Sequence, residues 1–444
     1  MPLLIEAFRT SGAAAVVDEK VSIKQRKRGL RPSETVEGLF ALWASGGERC
    51  EDLASLREDG ALGVLIGHSF PAPQTARDFL EAFDETLPPL WQGQGGTCAV
   101  PAEGDRLQGL AAASRRLVAF LQERVPQPIA TIDIDATILP SDKQAARATY
   151  EGHTGYQPVV ALWAEQDVVL ADEFRDGNVP ACSGNLRVIE RAIAALPAGV
   201  EQVMVRSDSA GYEHGLMRWL TRAGHWYAIS ARMRPPLLAA IKALPEAAWQ
   251  VESEDAQVVR SWAEVASVPN DRHYTPDPTE PARYLATRIM KKQSELFADG
   301  SSVRYFAIVT NRPDPEGGTG LDLLRWHRGK AGTVELAHDV LTNALAAQAL
   351  PSQKFGANAA WFRLNVMLYN LLSAFKRVAL PPELHRARPK RLRFVLLNAI
   401  GKVVRHARET LLRLSGESRR RLADAARLAL AAGCRVPVPQ ARAA

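Results

Sequence analysis

The chain has 444 residues, of which 46% are hydrophobic and 23% are charged, and this ordinary composition excludes an intrinsically disordered protein. Lysine and arginine outnumber aspartate and glutamate by 55 to 49, a net charge of +6 that bears on partners and not on fold. No apolar run approaches the ~20 residues of a membrane helix, and no signal peptide is recognisable, so we expect a cytoplasmic protein with no membrane partner.

The first 125 residues predict short amphipathic helices. Val36, Leu39 and Trp43 share one helical face ahead of Gly46, and Leu107 begins a second helical pattern that continues to residue 121. The glycine-rich run at residues 92–96 lacks the Lys-Ser/Thr of a phosphate-binding loop and indicates a linker. Residues 1–125 are therefore expected to form a helical region, for which the resemblance described below implies DNA binding or dimerisation.

From Pro128 the hydrophobic period changes from helical to strand-like. Three apolar runs come first, then helix, strand, helix and strand, and they cover residues 127–135, 156–163, 168–174, 186–196, 202–208, 216–220 and 226–230. Hairpin-connected strands followed by α/β crossovers give a mixed sheet with helices packed on it. This order is that of ribonuclease H-like folds, and we expect residues 126–232 to form the first part of such a core.

The second half of the chain divides into three segments that differ in residue pattern and composition. Strand-like runs within residues 233–312 predict a β-rich insertion. Helical patterns return in residues 313–380, which are expected to complete the α/β core. Residues 381–444 are predicted to be a basic helical region that binds DNA through phosphates, with Arg391, Arg393, Lys402, Arg405 and Arg408 as candidate contacts.

Three acids are singled out by their places in the predicted elements. Asp135 and Asp208 each end a strand, and these two strands are neighbours in a ribonuclease H-like sheet. Glu335 follows Thr333, which is placed to cap a helix. Carboxylates without histidine or cysteine suit a hard cation such as Mg²⁺, and two such ions can promote attack at a phosphodiester. Asp133 lies on the same sheet face as Asp135, and position alone does not choose between them.

Each of these residues also has an ordinary structural interpretation. An aspartate at a strand end commonly forms a turn or caps a helix, and a glutamate in a first helical turn complements the helix dipole. His153 and His327 are candidates for groups beside the acids, although surface or core histidines are commoner. Runs of arginine are often solvated helix faces.

Together the motifs resemble the DDE transposases of bacterial insertion sequences. The first-acid block is residues 133–137 (DIDAT) with 153–158 (HTGYQP), the second is 206–212 (RSDSAGY) and the third is 326–335 (WHRGKAGTVE). The helical segment that follows in the family is matched by residues 355–358 (FGAN) and 369–372 (YNLL). The resemblance covers roughly residues 31–414.

The resemblance implies a ribonuclease H-like core with a β-insertion between the second and third acids, and metal-dependent cleavage and joining of DNA. It selects Asp135 over Asp133, so that Asp135, Asp208 and Glu335 would bind two Mg²⁺ ions, with Mn²⁺ as the alternative metal. Arg328 and Lys330 are the nearest candidates for the basic residues that precede the third acid. The expected partners are transposon terminal inverted repeats and target DNA, bound by a homodimer near the bacterial nucleoid.

Two alternatives stay open at this level. One is a ribonuclease H-like nuclease that cleaves DNA without strand transfer. The other is an inactive DNA-binding descendant, because Thr342 stands two helical turns after Glu335, where these enzymes often carry lysine or arginine.

Overall fold

The computed structural model describes residues 1–23, 29–265, 282–292, 296–315, 317–406, 409–414, 416–431 and 433. Its α-helices are, in chain order, α1 Pro2–Thr10, α2 Ala13–Lys20, α3 Pro32–Ser45, α4 Leu53–Glu58, α5 Gly60–Ile66, α6 Pro73–Glu81, α7 Asp105–Arg124, α8 Asn185–Ala194, α9 His214–Arg222, α10 Pro235–Lys242, α11 Gly320–Arg328, α12 Val334–Asp339, α13 Phe355–Ala379, α14 Pro389–Leu392 and α15 Gly416–Ala431. None of these helices is both long and apolar enough to cross a membrane.

The β-strands fall between these helices and cluster in the middle of the chain. They are β1 Pro89–Gln92, β2 Ala99–Pro101, β3 Ile129–Ala136, β4 Leu139–Pro140, β5 Arg147–Ala148, β6 Thr154–Tyr156, β7 Val159–Trp163, β8 Val168–Glu173, β9 Gln202–Ser207, β10 Trp226–Ser230, β11 Gln250–Glu254, β12 Val258–Val265, β13 Arg283–Lys291, β14 Val303–Thr310, β15 Gly401–His406 and β16 Glu409–Leu414.

The central sheet has the strand order β8-β7-β3-β9-β10 over its first five strands. β3, β9 and β10 run parallel, whereas β7 and β8 are antiparallel to their neighbours. Long apolar runs form these strands because helices cover both faces of the sheet. The arrangement confirms the predicted ribonuclease H-like mixed sheet, with the first strand of the core in the middle.

The β-rich insertion continues the same sheet. β14 pairs antiparallel with β10, and β13, β12 and β11 follow outward, which makes nine strands within the part of the chain that the structure describes. The sequence predicts strand-like runs at residues 258–265, 284–290 and 303–310, and β12, β13 and β14 begin and end within one residue of them. β11 was not predicted, because most of its residues are polar and exposed. The segment therefore lacks an alternation of apolar and polar residues.

Two hydrophobic cores lie on opposite faces of the sheet. Val160, Leu162 and Val169 face a core shared with the N-terminal helices and α13, whereas Ile132 and Ile134 face a core shared with α8 and α9. Alternation of side chains along β3 therefore places Asp133 and Asp135 on the face opposite the two isoleucines. The buried residues of α13 include Trp361, Phe362 and Tyr369, which pack in the core as predicted.

α13 also closes the outer edge of the sheet through polar contacts. The Asn370 side chain accepts a hydrogen bond from the Val169 amide at 2.7 Å and donates to the Val169 carbonyl at 2.8 Å. Arg363, on the same helix, pairs with Asp172 at 3.0 Å and Glu103 at 2.7 Å. A strand edge normally exposes unpaired backbone groups, and here a helix satisfies them.

Two expectations about local structure were wrong. The glycine-rich run 92–96 is not a free linker, because it joins β1 and β2, which pair as a hairpin. The C-terminal basic region is not purely helical: β15 and β16 form a second hairpin between α14 and α15. Val403 and Val404 face Leu412 and Leu411 across this hairpin, a pairing that favours strands over helix.

Candidate active site

The first two candidate acids lie side by side at one edge of the sheet. The last paired residues of the parallel strands β3 and β9 are Ile134 and Ser207. Asp135 and Asp208 come next on their respective strands. Neighbouring parallel strands end together, so two residues distant in sequence share one location. The structure therefore brings these two predicted residues together.

Asp208 is exposed and leads into a tight 3-10 turn, Ser209–Gly211. Its Oδ1 accepts a hydrogen bond from the Ala210 amide at 3.0 Å, the turn-forming role that the sequence alone left open. A Cβ at Gly211 would lie 2.3 Å from the Ser207 hydroxyl, so this turn needs glycine. Because Oδ2 makes no hydrogen bond in the structure described, the carboxylate keeps an oxygen for a ligand.

Asp133 is fully enclosed and has a different role from Asp135. Arg206, its register partner on β9, donates Nε to Oδ1 at 2.6 Å and Nη2 to Oδ2 at 2.7 Å. The Thr333 hydroxyl also donates to Asp133, and Arg206 donates from Nη1 to the carbonyl of Trp326. Removing charges from water is costly unless they are paired and hydrogen-bonded, as these are. Asp133 thus fixes the segment that precedes Glu335 against the sheet.

Asp135 is partly exposed and carries a single cationic partner. Its Oδ1 accepts the Ala136 amide at 2.9 Å, and its Oδ2 accepts from the Lys330 ammonium at 2.9 Å. The side chain of Lys330 is only 8% exposed. The ammonium shows that positive charge is accepted at this oxygen, which fits the carboxylate chemistry of a divalent-cation site.

Glu335 lies in the first turn of α12, which packs against β3 and β7. Its side chain is exposed, while Val334 and Ala337 on the same helix are buried. Within the described residues, no three His, Cys, Asp or Glu side chains are grouped closely enough to hold a metal ion. The structure therefore places the glutamate on the helix beside β3 and does not assemble all three acids as one metal-binding cluster.

Thr333 occupies the N-cap position of α12, but its side chain does not cap the helix. The hydroxyl donates to Asp133 instead, and its oxygen also lies 2.9 Å from the Lys330 carbonyl. The expected capping role was wrong, because the bond to Asp133 directs the hydroxyl toward the sheet and no bond joins it to an amide of α12 in the described structure. The hydrogen bond between Thr333 and Asp133 therefore connects the start of α12 to the sheet.

Two buried histidines border the acids. Burial lowers the pKa of His327 to about 4, and its Nε2 lies 3.0 Å from the Ser207 carbonyl. Because a carbonyl only accepts, Nε2 carries the proton of the neutral ring. Burial also lowers the pKa of His338 to about 4, and the charge of Asp135 opposes that shift. Both rings are therefore neutral near pH 7 and add no charge to the site.

Two further predicted residues are not brought to the acids. Arg328 makes a two-pronged ion pair with Glu252 of β11, at 2.5 and 2.9 Å, and so binds the insertion. His153 lies ahead of β6 with its ring 4.0 Å from Glu151. Neither residue contacts Asp135, Asp208 or Glu335 among the interactions of the described structure.

The predicted DNA contacts differ in what they offer to a ligand. Arg391 is exposed and stacks over Phe394, and Lys402 is exposed on β15. Arg393 instead donates to the carbonyls of three residues in the helical core, Trp43, Ala44 and Ala344, and burial lowers its pKa. That guanidinium connects parts of the core, and a DNA contact by Arg393 stays a prediction. Arg405 lies within β15, and Arg408 falls outside the described residues.

Sequence reasoning missed Arg206 as a functional-site residue. The sequence does contain a signal for this pair. Arg206 precedes Asp208 by two residues, and Asp133 precedes Asp135 by the same number. On adjacent parallel strands this equal spacing predicts a facing pair of opposite charge. His338 was also missed; it follows Val334 by four residues and lies on the buried side of α12.

A cavity of about 280 Å³ elsewhere in the molecule does not belong to this site. It lies between the N-terminal region and the core, and its lining includes Phe83, Glu103, Asp176 and Arg363 but none of the three candidate acids. The acids lie instead at an open sheet edge. Such an edge suits a large polymer better than an enclosed small molecule.

Comparison with known proteins identifies the family. Residues 36–428 match the family described as transposase DDE domain group 1. Among solved structures, the chain is similar to a piggyBac transposase synaptic complex with hairpin DNA, at 8% identity and a TM-score of 0.45, covering 99% of this chain and 83% of that one. No curated protein matches significantly. Since the match spans most of its length, the chain belongs to the DDE transposase family.

Proposed function

We propose that this protein cuts DNA at the ends of a bacterial insertion sequence and joins those ends to target DNA. The observation that carries the proposal is the placement of Asp135 and Asp208 at the next positions of two paired parallel strands. Family membership supplies the reaction class. Transposition in bacteria would place the protein in the cytoplasm, at the nucleoid.

Asp135 and Asp208 would act as metal ligands, with Glu335 as the third. Two Mg²⁺ ions, or Mn²⁺ in their place, would activate an attacking oxygen and neutralise the departing one. The buried Asp133–Arg206 pair holds the chain before Glu335 against the sheet, so α12 approaches the aspartates from a fixed base. When DNA binds, α12 would close over the ends of β3 and β9 and bring Glu335 to the two aspartates.

Two successive displacements at phosphorus follow from this arrangement. In the first, water attacks the transposon-end phosphodiester, a new P–O bond forms, and the bond to the 3′ oxygen breaks to leave a 3′-OH. In the second, that 3′-OH attacks a target phosphodiester and displaces another 3′ oxygen. Phosphoryl transfer of this kind needs mainly positioning and charge from the protein.

The C-terminal hairpin is the part of the basic region best placed to bind DNA. Lys402 on β15 lies directly opposite Arg413 on β16, and both side chains are exposed. Like charges facing each other across a hairpin are unfavourable unless an anion lies between them. A DNA phosphate supplies that anion. Recognition of two transposon ends by such elements favours a homodimer on DNA.

The test is nicking and strand transfer, measured separately, on DNA carrying the element's ends with Mg²⁺ or Mn²⁺. Asp208→Asn is expected to lower both by at least about a hundredfold, because a lost metal ligand removes several kcal/mol of transition-state stabilisation. Asp255→Asn is a matched control, since Asp255 is an exposed turn aspartate that accepts two backbone amides.

Three other results would change the proposal. Equal nicking by the parent and the Asp208 variant would remove this residue from the site. Nicking without strand transfer would indicate a nuclease. DNA binding without any nicking by the parent protein would favour an inactive descendant, in keeping with Thr342, whose hydroxyl donates to the His338 carbonyl and offers no positive charge.

A further inference from the structure

Lys330 is an unusual neighbour for a carboxylate that is meant to bind a metal. It lies in the 3-10 segment Gly329–Gly332, between α11 and α12, and reaches back to β3. Its ammonium lies 2.9 Å from Asp135 Oδ2, and both side chains are mostly buried, at 8% and 19% exposed. The two residues are 195 positions apart in sequence, so the contact depends on the assembled core.

The lysine pairs with Oδ2, the oxygen of Asp135 that makes no backbone contact and is best placed to bind a cation. Oδ1 already accepts the Ala136 amide, which leaves Oδ2 as the oxygen directed away from the backbone. A divalent ion bound to Oδ2 would lie within a few ångströms of the ammonium. Like charges at that distance, in a partly buried place, repel strongly. Lysine and metal ion therefore exclude each other at this oxygen.

The backbone around Lys330 is held by contacts that do not involve the Lys330 side chain. Trp326, four residues earlier, is bound through its carbonyl to Arg206, and Thr333, three residues later, is bound to Asp133. A Cβ at Gly329 would lie 2.9 Å from Arg206 Nη1, so the segment is closely packed there as well. The ammonium itself has a four-carbon flexible stem and no planar fork. The side chain can leave while the segment stays in place.

We propose that Lys330 is an internal counter-ion that takes the place of a cation at Asp135 and is displaced when a divalent metal binds. Lys330 is then a positioning residue that sets the metal concentration at which the site loads, and it keeps Asp135 paired until then. This inference rests on the proposed function, since it takes Asp135 as a metal ligand. The displaced ammonium would be free to meet a DNA phosphate at the same sheet edge.

The test is Mn²⁺ binding to the full-length protein without DNA, measured by isothermal titration calorimetry and by electron paramagnetic resonance of free Mn²⁺. Lys330→Met is expected to bind Mn²⁺ at least about tenfold more tightly than the parent, because a competing charge is gone. Lys330→Arg keeps the charge and is expected to bind like the parent. Lys354→Met is the matched control, since Lys354 pairs with Glu81 at 3.1 Å on the surface.

Thermal unfolding gives a second readout that does not depend on activity. In EDTA, Lys330→Met should melt below the parent because Asp135 loses its partner, and Mn²⁺ should raise its melting temperature by more than it raises that of the parent. A Lys330→Gln variant serves if the methionine variant does not fold. Equal or weaker Mn²⁺ binding by a folded, uncharged variant would overturn the proposal.

The outcomes also separate this inference from the proposed function. If Asp135→Asn abolishes Mn²⁺ binding but Lys330→Met leaves it unchanged, the metal site stands and the counter-ion role is wrong. If neither the parent nor Lys330→Met binds Mn²⁺, both ideas fail at this site. If only Lys330→Met binds, the lysine blocks the site of the parent, as proposed.

Discussion

The buried pair of Arg206 and Asp133 allows a quantitative test of how the third-acid segment is held. Arg206→Met removes both hydrogen bonds to Asp133, at 2.6 and 2.7 Å, and the bond to the Trp326 carbonyl. The two side chains are 6% and 0% exposed, so the change leaves an uncompensated carboxylate away from water. Breaking such a pair costs about 3–5 kcal/mol. The expected loss in free energy of unfolding is of that size.

Urea denaturation of the parent and the variants measures this loss. Asp133→Asn removes the stranded charge, so the double variant is expected to be more stable than Arg206→Met alone by at least about 1 kcal/mol. Arg283→Met is the matched control: Arg283 pairs with Glu264 at 2.8 Å, but that glutamate is 44% exposed, and the expected cost is below about 1 kcal/mol. The reasoning is refuted if Arg206→Met costs no more than this control, or if Asp133→Asn brings no recovery.

Three further predictions concern pH, the helical core and DNA. Burial lowers the pKa of His327 from 6.5 to about 4, so the unfolded chain binds the proton at a higher pH than the folded protein does. The free energy of unfolding should therefore fall by up to roughly 3 kcal/mol between pH 6.5 and 4. In urea denaturation at a series of pH values, His327→Gln should flatten this part of the curve. Arg393→Met should lower the free energy of unfolding by about 2–4 kcal/mol, since three carbonyls lose a charged donor, whereas the exposed Arg391→Met should change it by less than about 0.5 kcal/mol. Lys402→Gln and Arg413→Gln should each reduce the salt slope of DNA affinity by about 1 in fluorescence anisotropy, and an unchanged slope would exclude the hairpin from the DNA contact.

The strand-end aspartates were predictable because their position depends only on local patterns and on strand order. Apolar runs that end in acid locate Asp135 and Asp208, and parallel neighbours must end together. The choice of Asp135 over Asp133 came from the family resemblance. The structure adds a physical difference between the two residues: Asp133 is enclosed by Arg206 and Thr333, whereas Asp135 is partly exposed.

The remaining features depend on contacts that local patterns do not record. Nothing near Lys330 in sequence indicates that its ammonium reaches a strand 195 residues earlier. In the sequence, Arg393 does not differ from its basic neighbours. It donates to backbone carbonyls only because distant helices pack around it. The β15–β16 hairpin was hidden because its pairs of valines and leucines are flanked by basic residues and lie within a basic region.

The position of α13 late in the chain has a consequence for synthesis on the ribosome. Helix Phe355–Ala379 supplies Asn370 to the outer strand of the sheet and Arg363 to two acids that precede it by more than 190 residues. Until α13 has emerged from the ribosome, the N-terminal helices and the sheet lack the helix against which both of them pack. The nascent chain must therefore carry more than 350 residues with an unfinished interior, which makes it a natural client for chaperones. Shortened versions that stop before α13 should be insoluble for the same reason.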